Sequence, residues 1–481
     1  MRISKVWGVL GVCAGLAACS LSPSVVDDQK IPQQGYHMAE VSTNSQTLQW
    51  GQDPAQAWWK AFASPALDQE VELALKNNPG LDAQRYALQQ QQELYGATRG
   101  SLLFPSVSAN ASANREKIFL GPGLIFGPLN LYNAGINVSY GLDLFGASRN
   151  TLKAALAQVD SERYSLMASR QMLVANVLTA NFSAAYAQSV ITTTQQILKD
   201  QEQQLEIMKA RRASGALSDA DVAAQELVVD NTRASLPELE KSRVQAEHQV
   251  NALLGRSPDD PLQNLDLSAI PMPDHLPVSL PSTVAKQRPD VEAAEALWRA
   301  AAAQVGVASA NLYPQIRLTA DYSSYAVTPS KLFAANSMVW GLGAGLTAPI
   351  FDGGALRAEK RASEQAFNAA GATYRQTIIK AFQNVADALT ALQQDEATEM
   401  ARKQAAQAAD ISLQLTQQSY DVGAQPLANV LLAEQQVENA HLASVAAHAA
   451  RLADCVALYQ ALGGRWDQIE SENQAKKGVK P

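Results

Sequence analysis

The chain repeats itself once, and this constrains its fold more than any other feature. Asn78-Pro79 returns as Arg288-Pro289, 210 residues on, and Phe104-Pro105 as Tyr313-Pro314, 209 on. Phe145-Gly146 returns as Phe351-Asp352 at 206. Gly215 pairs with Gly423, Glu226 with Glu434 and Leu254-Gly255 with Leu462-Gly463, all at 208. So steady an offset marks an internal duplication, in which each half builds one copy of the same supersecondary unit. Pro258, Pro261, Pro271, Pro273, Pro277 and Pro281 mark an irregular connector between the halves.

Each half changes its hydrophobic period. Residues 147–214 hold neither Gly nor Pro, and 372–422 and 427–462 are similar, so they read as very long helices rich in Ala, Gln and Leu. Small side chains let such helices approach closely. Elsewhere the period is two. Ala134, Ile136, Val138, Tyr140, Leu142 and Leu144 alternate with polar or small residues. So do Val107 to Ala113, Ile316 to Tyr322 and Met338 to Ile350. These four segments are long enough to cross a bilayer as strands. The stretches 119–130 and 326–337 read as the strand connections.

Four strands cannot close a barrel, and hydrocarbon satisfies no open sheet edge. If lipid is the apolar partner, copies of the chain must share one barrel, and cyclic symmetry is the economical way to do so. Two, three or four copies would give eight, twelve or sixteen strands. The N-terminus favours a membrane address. Arg2 and Lys5 precede a short apolar stretch that ends in Leu16-Ala17-Ala18-Cys19. This resembles a bacterial lipobox, with Cys19 the lipidated first residue of the mature chain and Ser20 pointing to the outer membrane. Lys plus Arg is 38 against 46 Asp plus Glu, a net charge of −8, which argues against a nucleic-acid partner. Three Cys, five His and unclustered Met give no support for a metal site, and no catalytic constellation stands out.

Trp58-Trp59-Lys60-Ala61-Phe62 followed by Pro65 and Leu67, Arg288-Pro289-Asp290-Val291-Glu292 running on to Leu312-Tyr313-Pro314, and Tyr459-Gln460-Ala461-Leu462-Gly463-Gly464-Arg465-Trp466 resemble the signatures of the TolC-like outer-membrane efflux factors, in their lipoprotein branch. The resemblance implies a mainly α chain with membrane β. Its homotrimer forms a twelve-stranded β-barrel that continues into a twelve-helix periplasmic α-barrel. It implies an outer-membrane, lipid-anchored duct, docked to a periplasmic membrane-fusion adaptor and an inner-membrane RND-type pump. Such a duct expels drugs or other small toxic compounds. It has no enzyme activity and no cofactor beyond diacylglycerol and N-acyl chains on Cys19. The expected divisions are a signal peptide 1–18, a lipidated segment 19–65 along the equatorial region, a first repeat 66–255, a connector 256–282, a second repeat 283–465 and a polar tail 466–481.

The resemblance also places a periplasmic gate at the hairpin tips near Gly215 and Gly423. Tyr420 would bond Asp221, with Gln204 as a further partner. Gln425 stands where relatives carry an Arg, so the charged part of the lock is expected to be missing. Asn429 and Leu432 stand where relatives carry acidic residues, and apolar packing around Leu432 is expected instead. The plainer alternative is that Tyr420 only packs between helices. Rival functions are a duct for polypeptide secretion, separable by export assays, and a structural helical-stalk lipoprotein, which would not conduct.

Overall fold

The computed structural model describes residues 22–23, 46–122, 124–279 and 281–464. The signal segment, Cys19, Arg465, Trp466 and the tail lie outside the described residues. The elements run β1 (Thr47–Trp50), α1 (Pro65–Asn77), α2 (Pro79–Leu103), β2 (Ser106–Gly121), β3 (Leu124–Leu142), α3 (Ala147–Ala213), α4 (Asp219–Leu254), β4 (His275–Val278), α5 (Pro281–Gln287), α6 (Pro289–Ala310), β5 (Gln315–Ala326), β6 (Met338–Thr347), α7 (Ala355–Asp421) and α8 (Leu427–Leu462). The duplication is visible in this order: α2-β2-β3-α3-α4 returns as α6-β5-β6-α7-α8. The copies agree in length, with α3 and α7 at 67 residues each and α4 and α8 at 36 each.

The chain divides into two compact units. One gathers Tyr86–Arg163 and Ala293–Gln376 and contains a four-stranded sheet ordered β2-β3-β5-β6, antiparallel throughout. Its register lines up the period-two pattern across all four strands. Ala109 faces Ile136, Ile136 faces Tyr322, and Tyr322 faces Trp340. Val107, Ile136, Tyr322, Trp340, Leu342 and Leu346 are all exposed on this face of the chain. The β2–β3 ladder runs further than the turn residues suggested, pairing Gly121 with Leu124. The expected connection at 119–130 therefore shrinks to a turn. Register shifts between Glu116 and Ile118 and between Phe119 and Gly121 absorb the irregularity that Gly127-Pro128 imposes. β6 ends at Thr347, before Pro349, which has no N–H for a ladder.

In the same unit α7 starts at Ala355 and passes straight through Gly371, earlier than the Gly-free stretch from 372 suggested. Asp352 caps its start, accepting from Gly354 N at 2.8 Å and Leu356 N at 2.8 Å. Gly371 is tolerated because the Trp298 indole lies against it. A Cβ there would stand 3.0 Å from Trp298 Nε1. Trp298 stacks on Phe367 at 5.6 Å and on Tyr374 at 5.5 Å.

The other unit gathers, among the described residues, 46–85, 164–279, 281–292 and 377–464. Parallel pairing of β1 with β4 ties the connector to the N-terminal segment. The three sequence motifs meet in its core. Trp58 stacks on Tyr459 at 5.1 Å, and Phe62 meets Phe182 edge-on at 5.4 Å. Arg288 Nη1 donates to the Ala461 carbonyl at 2.9 Å, while Asp290 holds Nη2 at 2.7 Å. Gly463, at φ 94°, lets the Arg288 stem lie against the end of α8. By length and composition α8 is apolar enough to cross a bilayer. It instead buries Leu452, Val456, Leu458 and Leu462 in this core, together with the charged Arg451.

Candidate functional site

The polar face of the sheet is built by the residues between the apolar ones. Asn110, Asn133 and Asn137 form a ladder: Asn110 Nδ2 donates to Asn133 Oδ1 at 2.6 Å, and Asn137 Nδ2 donates to Asn110 Oδ1 at 2.8 Å. Arg317 Nη1 donates to Ser139 Oγ at 3.0 Å. On β6 the same face carries Gly341, Gly343 and Gly345, paired with Asp321, Thr319 and Arg317. A Cβ at Gly341 would stand 2.6 Å from Asp321 Oδ1, so the glycine leaves that carboxylate its room. The sheet thus offers an apolar surface on one side and a polar, hydrogen-bonding surface on the other.

The two helical hairpins turn by the same device. In the first, the Ala216 N–H bonds the Arg211 carbonyl at 2.9 Å and the Gly215 N–H bonds the Arg212 carbonyl at 2.8 Å. In the second, Ala424 bonds Ser419 at 2.9 Å and Gly423 bonds Tyr420 at 2.9 Å. Both are Schellman caps with glycine in the left-handed region, at φ 79° and 74°. Their returns differ. Ser218 and Asp221 form a reciprocal capping box at the start of α4, whereas α8 starts after Pro426 with no side-chain cap.

The expected gate residues lie near these tips but are wired differently. Tyr420 does not bond Asp221. Its hydroxyl is buried and has no hydrogen-bond partner among the described residues. Asp221 is engaged by Ser218, whose hydroxyl donates at 2.7 Å and whose backbone N–H donates at 3.1 Å. These bonds hold its carboxyl below the usual range. The cap wins because a residue three positions away is always within reach, while Tyr420 is on another hairpin. Gln204 accepts from Gln417 Nε2 at 2.7 Å rather than meeting Tyr420. Gln425 accepts from Asn429 Nδ2 at 2.5 Å within one helical turn.

Leu432 is exposed and outside the apolar cluster of its own chain. That cluster takes Leu427, Val430 and Leu431 from α8 with Met208, Leu217, Leu413 and the Tyr420 ring. Leu427, Val430 and Leu431 share one helical face, and Leu432 is turned away by the 3.6-residue period. Asp219 is ion-paired with Arg212, and Ser218 is the cap of α4. Glu226 pairs with Lys209 at 3.6 Å.

The tip does carry a charged contact, at residues the resemblance does not name. Arg211 Nη2 donates to Asp421 Oδ1 at 2.7 Å, joining the end of α3 to the end of α7. The guanidinium lies 5.7 Å from the centre of the Tyr420 ring. Hydrogen bonding to Asp421 pushes the Arg211 pKa further up, keeping it charged. An Asp in the last turn of a helix opposes the helix dipole and calls for a cation beside it, which Arg211 supplies from the other hairpin.

A second charged cluster braces the helices in the connector-bearing unit. Glu399 accepts from Lys403 Nζ at 2.7 Å, Arg451 Nη1 at 2.8 Å and His448 Nδ1 at 2.8 Å. Burial alone would raise its pKa. The three donors outweigh burial and hold it at about 2. Arg451 Nη2 also reaches Gln46 Oε1 at 3.2 Å, and Gln46 Nε2 donates to the Pro273 carbonyl at 2.9 Å. Cys455 is fully buried beside Gln46, and burial pushes its thiol up to about 11. His441 meets Asp410 at 2.9 Å. Among the described residues no group of three or more His, Cys, Asp or Glu is placed to hold a metal ion.

Residues 71–256 and 280–464 match the family described as outer membrane efflux protein. The chain is 29% identical over 469 residues to the pyoverdine export outer membrane protein OpmQ of Pseudomonas putida, covering 95% of this chain and 97% of that one. It is 30% identical to the toluene efflux pump outer membrane protein TtgC of Pseudomonas putida, covering 95% of each. Among solved structures, the outer-membrane channel OprN superposes with a TM-score of 0.85 at 26% identity, over 93% of this chain and all of that one. The open state of the Neisseria gonorrhoeae MtrE outer membrane channel superposes at 0.80 with 27% identity, over 93% and 98%.

Proposed function

The chain belongs to the outer membrane efflux protein family, and on that premise we propose that three copies share one barrel and form the passive exit duct of a tripartite efflux assembly. The observation that carries this reading is the sheet: four antiparallel strands, a largely apolar face, and outer edges on β2 and β6 that pair with no strand among the described residues. Hydrocarbon leaves no backbone group unpaired without a cost of several kcal/mol, so the edges need partners from other copies. Three copies bring twelve strands, within the range in which membrane barrels close. The polar face then lines the lumen, and the long helices extend into the periplasm, toward an adaptor and an inner-membrane pump that supplies the energy.

The relatives are described for export of pyoverdine and of toluene. For this chain the cargo class is small toxic compounds. The chain has no catalytic role in this scheme and takes no cofactor. Cys19 carries the lipid anchor, and the hairpin tips form the periplasmic gate. Within each copy Arg211, Asp421 and the Tyr420 ring clasp the first hairpin to the second, replacing the Tyr420–Asp221 bond.

Two measurements test this. The folded protein in detergent should show three chain masses and conduct in a planar bilayer. A monomeric, non-conducting protein would overturn the duct. Arg211→Ala and Asp421→Asn should each raise single-channel conductance, and the double variant should add little, because both remove the same clasp. Unchanged conductance in both single variants would remove the clasp from the gate.

A further inference from the structure

Beside the hairpin tips, α3, α7 and α8 line a cavity of about 270 Å³. Its lining is chemically mixed. Ile197, Leu413 and Val437 supply apolar surface, while Gln201, Glu434 and the hydrogen-bonded pair Gln204 and Gln417 supply polar surface. Gln201 is only 3% exposed, and neither atom of its amide has a hydrogen-bond partner among the described residues. Gln225 of α4 stands behind Glu434, fully buried. Its Nε2 makes only long contacts, 3.4 Å to Glu434 Oε2 and 3.5 Å to the Gln201 carbonyl, and its Oε1 has none. Buried amides are ordinarily satisfied, and this pair is not.

The charges in the cavity are also one-sided. Glu434 lines the wall and Asp200 stands at the rim, and no Lys or Arg lines the cavity. Glu434 makes no salt bridge among the described residues, and burial raises its pKa. The volume far exceeds that of one water, about 30 Å³ in the liquid. It suits a molecule of about ten heavy atoms. A hydrated inorganic cation gains nothing from the aliphatic wall. A ligand with both an ammonium head and an apolar body matches every part of it.

We propose that this cavity binds a small organic cation, whose ammonium group donates to the Glu434 carboxylate and to Gln201 Oε1 while its apolar body lies on Ile197, Leu413 and Val437. All the lining residues come from one copy of the chain. The site's carboxylate fixes the sign of charge it accepts, and its depth limits the size.

The test is calorimetric titration of the full-length protein in detergent with 2-phenylethylammonium chloride, and in parallel with neutral 2-phenylethanol. Saturable binding of one cation per chain is expected, with the alcohol at least tenfold weaker. Glu434→Gln keeps the shape, removes the charge, and should weaken cation binding at least tenfold. The proposal is overturned if the cation shows no saturable binding up to millimolar concentration, if the alcohol binds as well, or if Glu434→Gln binds as tightly as the parent. Should that variant not fold, the comparison of cation with alcohol on the parent protein decides alone. A protein that conducts without binding the cation refutes this site and leaves the duct. One that binds it but is monomeric does the reverse.

Discussion

Glu399 offers the sharpest quantitative test of the helical packing. Its side chain is 5% exposed and accepts from Lys403, His448 and Arg451. Its pKa falls from 4.5 to about 2 on folding. A shift of that size corresponds to about 3 kcal/mol of stabilisation at neutral pH, at 1.36 kcal/mol per unit. The figure agrees in scale with the 3–5 kcal/mol typical of breaking a buried pair from one side. Glu399→Gln keeps the shape and removes the charge, leaving Arg451, which is 9% exposed, without its closest anion. Cys455, four residues further along the same helix and fully buried, is the reporter. Its thiol reacts only when α8 opens locally, so its labelling rate follows the opening equilibrium when reclosing is fast. Losing about 3 kcal/mol should speed labelling by about 100-fold. The dependence on pH has a defined sign. A depressed carboxyl stabilises above its unfolded pKa, so the parent protein should lose protection as the pH falls from 4.5 toward 2, and the variant should not. Labelling within threefold of the parent at pH 7 would refute the assignment of Glu399 as the brace.

Trp340→Arg, on the exposed apolar face of β6, should cost about 2–4 kcal/mol at mid-bilayer and cut the yield of membrane-inserted oligomer, while Ser112→Arg on the opposite face should not; equal yields would mean the faces are misassigned. Ser218→Ala removes the capping box of α4 and should lower its first-turn hydrogen-exchange protection by about 1 kcal/mol, leaving α8, which has no such cap, unchanged. Gly255→Ala should destabilise the protein by at least about 2 kcal/mol in denaturant unfolding, since the residue sits at φ 68° and the new Cβ would lie 2.5 Å from the Asn77 carbonyl oxygen.

The sequence was most legible where one physical rule acts alone. Alternation in β2, β3, β5 and β6 was readable because a strand buries or exposes one face at a time, and the register keeps Ile136, Tyr322 and Trp340 in line. The duplication was readable because Gly215 and Gly423 end their helices by the same cap. Legibility fell where several partners compete for one group. Asp221 had a distant expected partner in Tyr420 and a local one in Ser218, and proximity decided. Leu432 is expected to pack at the tip from its position in a motif, and within one chain Leu427, Val430 and Leu431 are the residues that α8 turns to its neighbours. The Arg211–Asp421 pair and the Glu399 cluster join residues 210 and 52 positions apart at most. Such pairings follow from how helices are laid side by side, which no local pattern encodes.

The unpaired margins of β2 and β6 also dictate an order of events. A solitary copy reaching the bilayer carries two rows of amides and carbonyls that water can satisfy and hydrocarbon cannot. Entry must therefore wait until neighbouring copies have zipped those margins together, so that association precedes or accompanies immersion. The rate of successful insertion should then climb steeply with the local abundance of newly delivered chains, and scarcity alone, without any defect in the polypeptide, would leave them stranded outside the membrane.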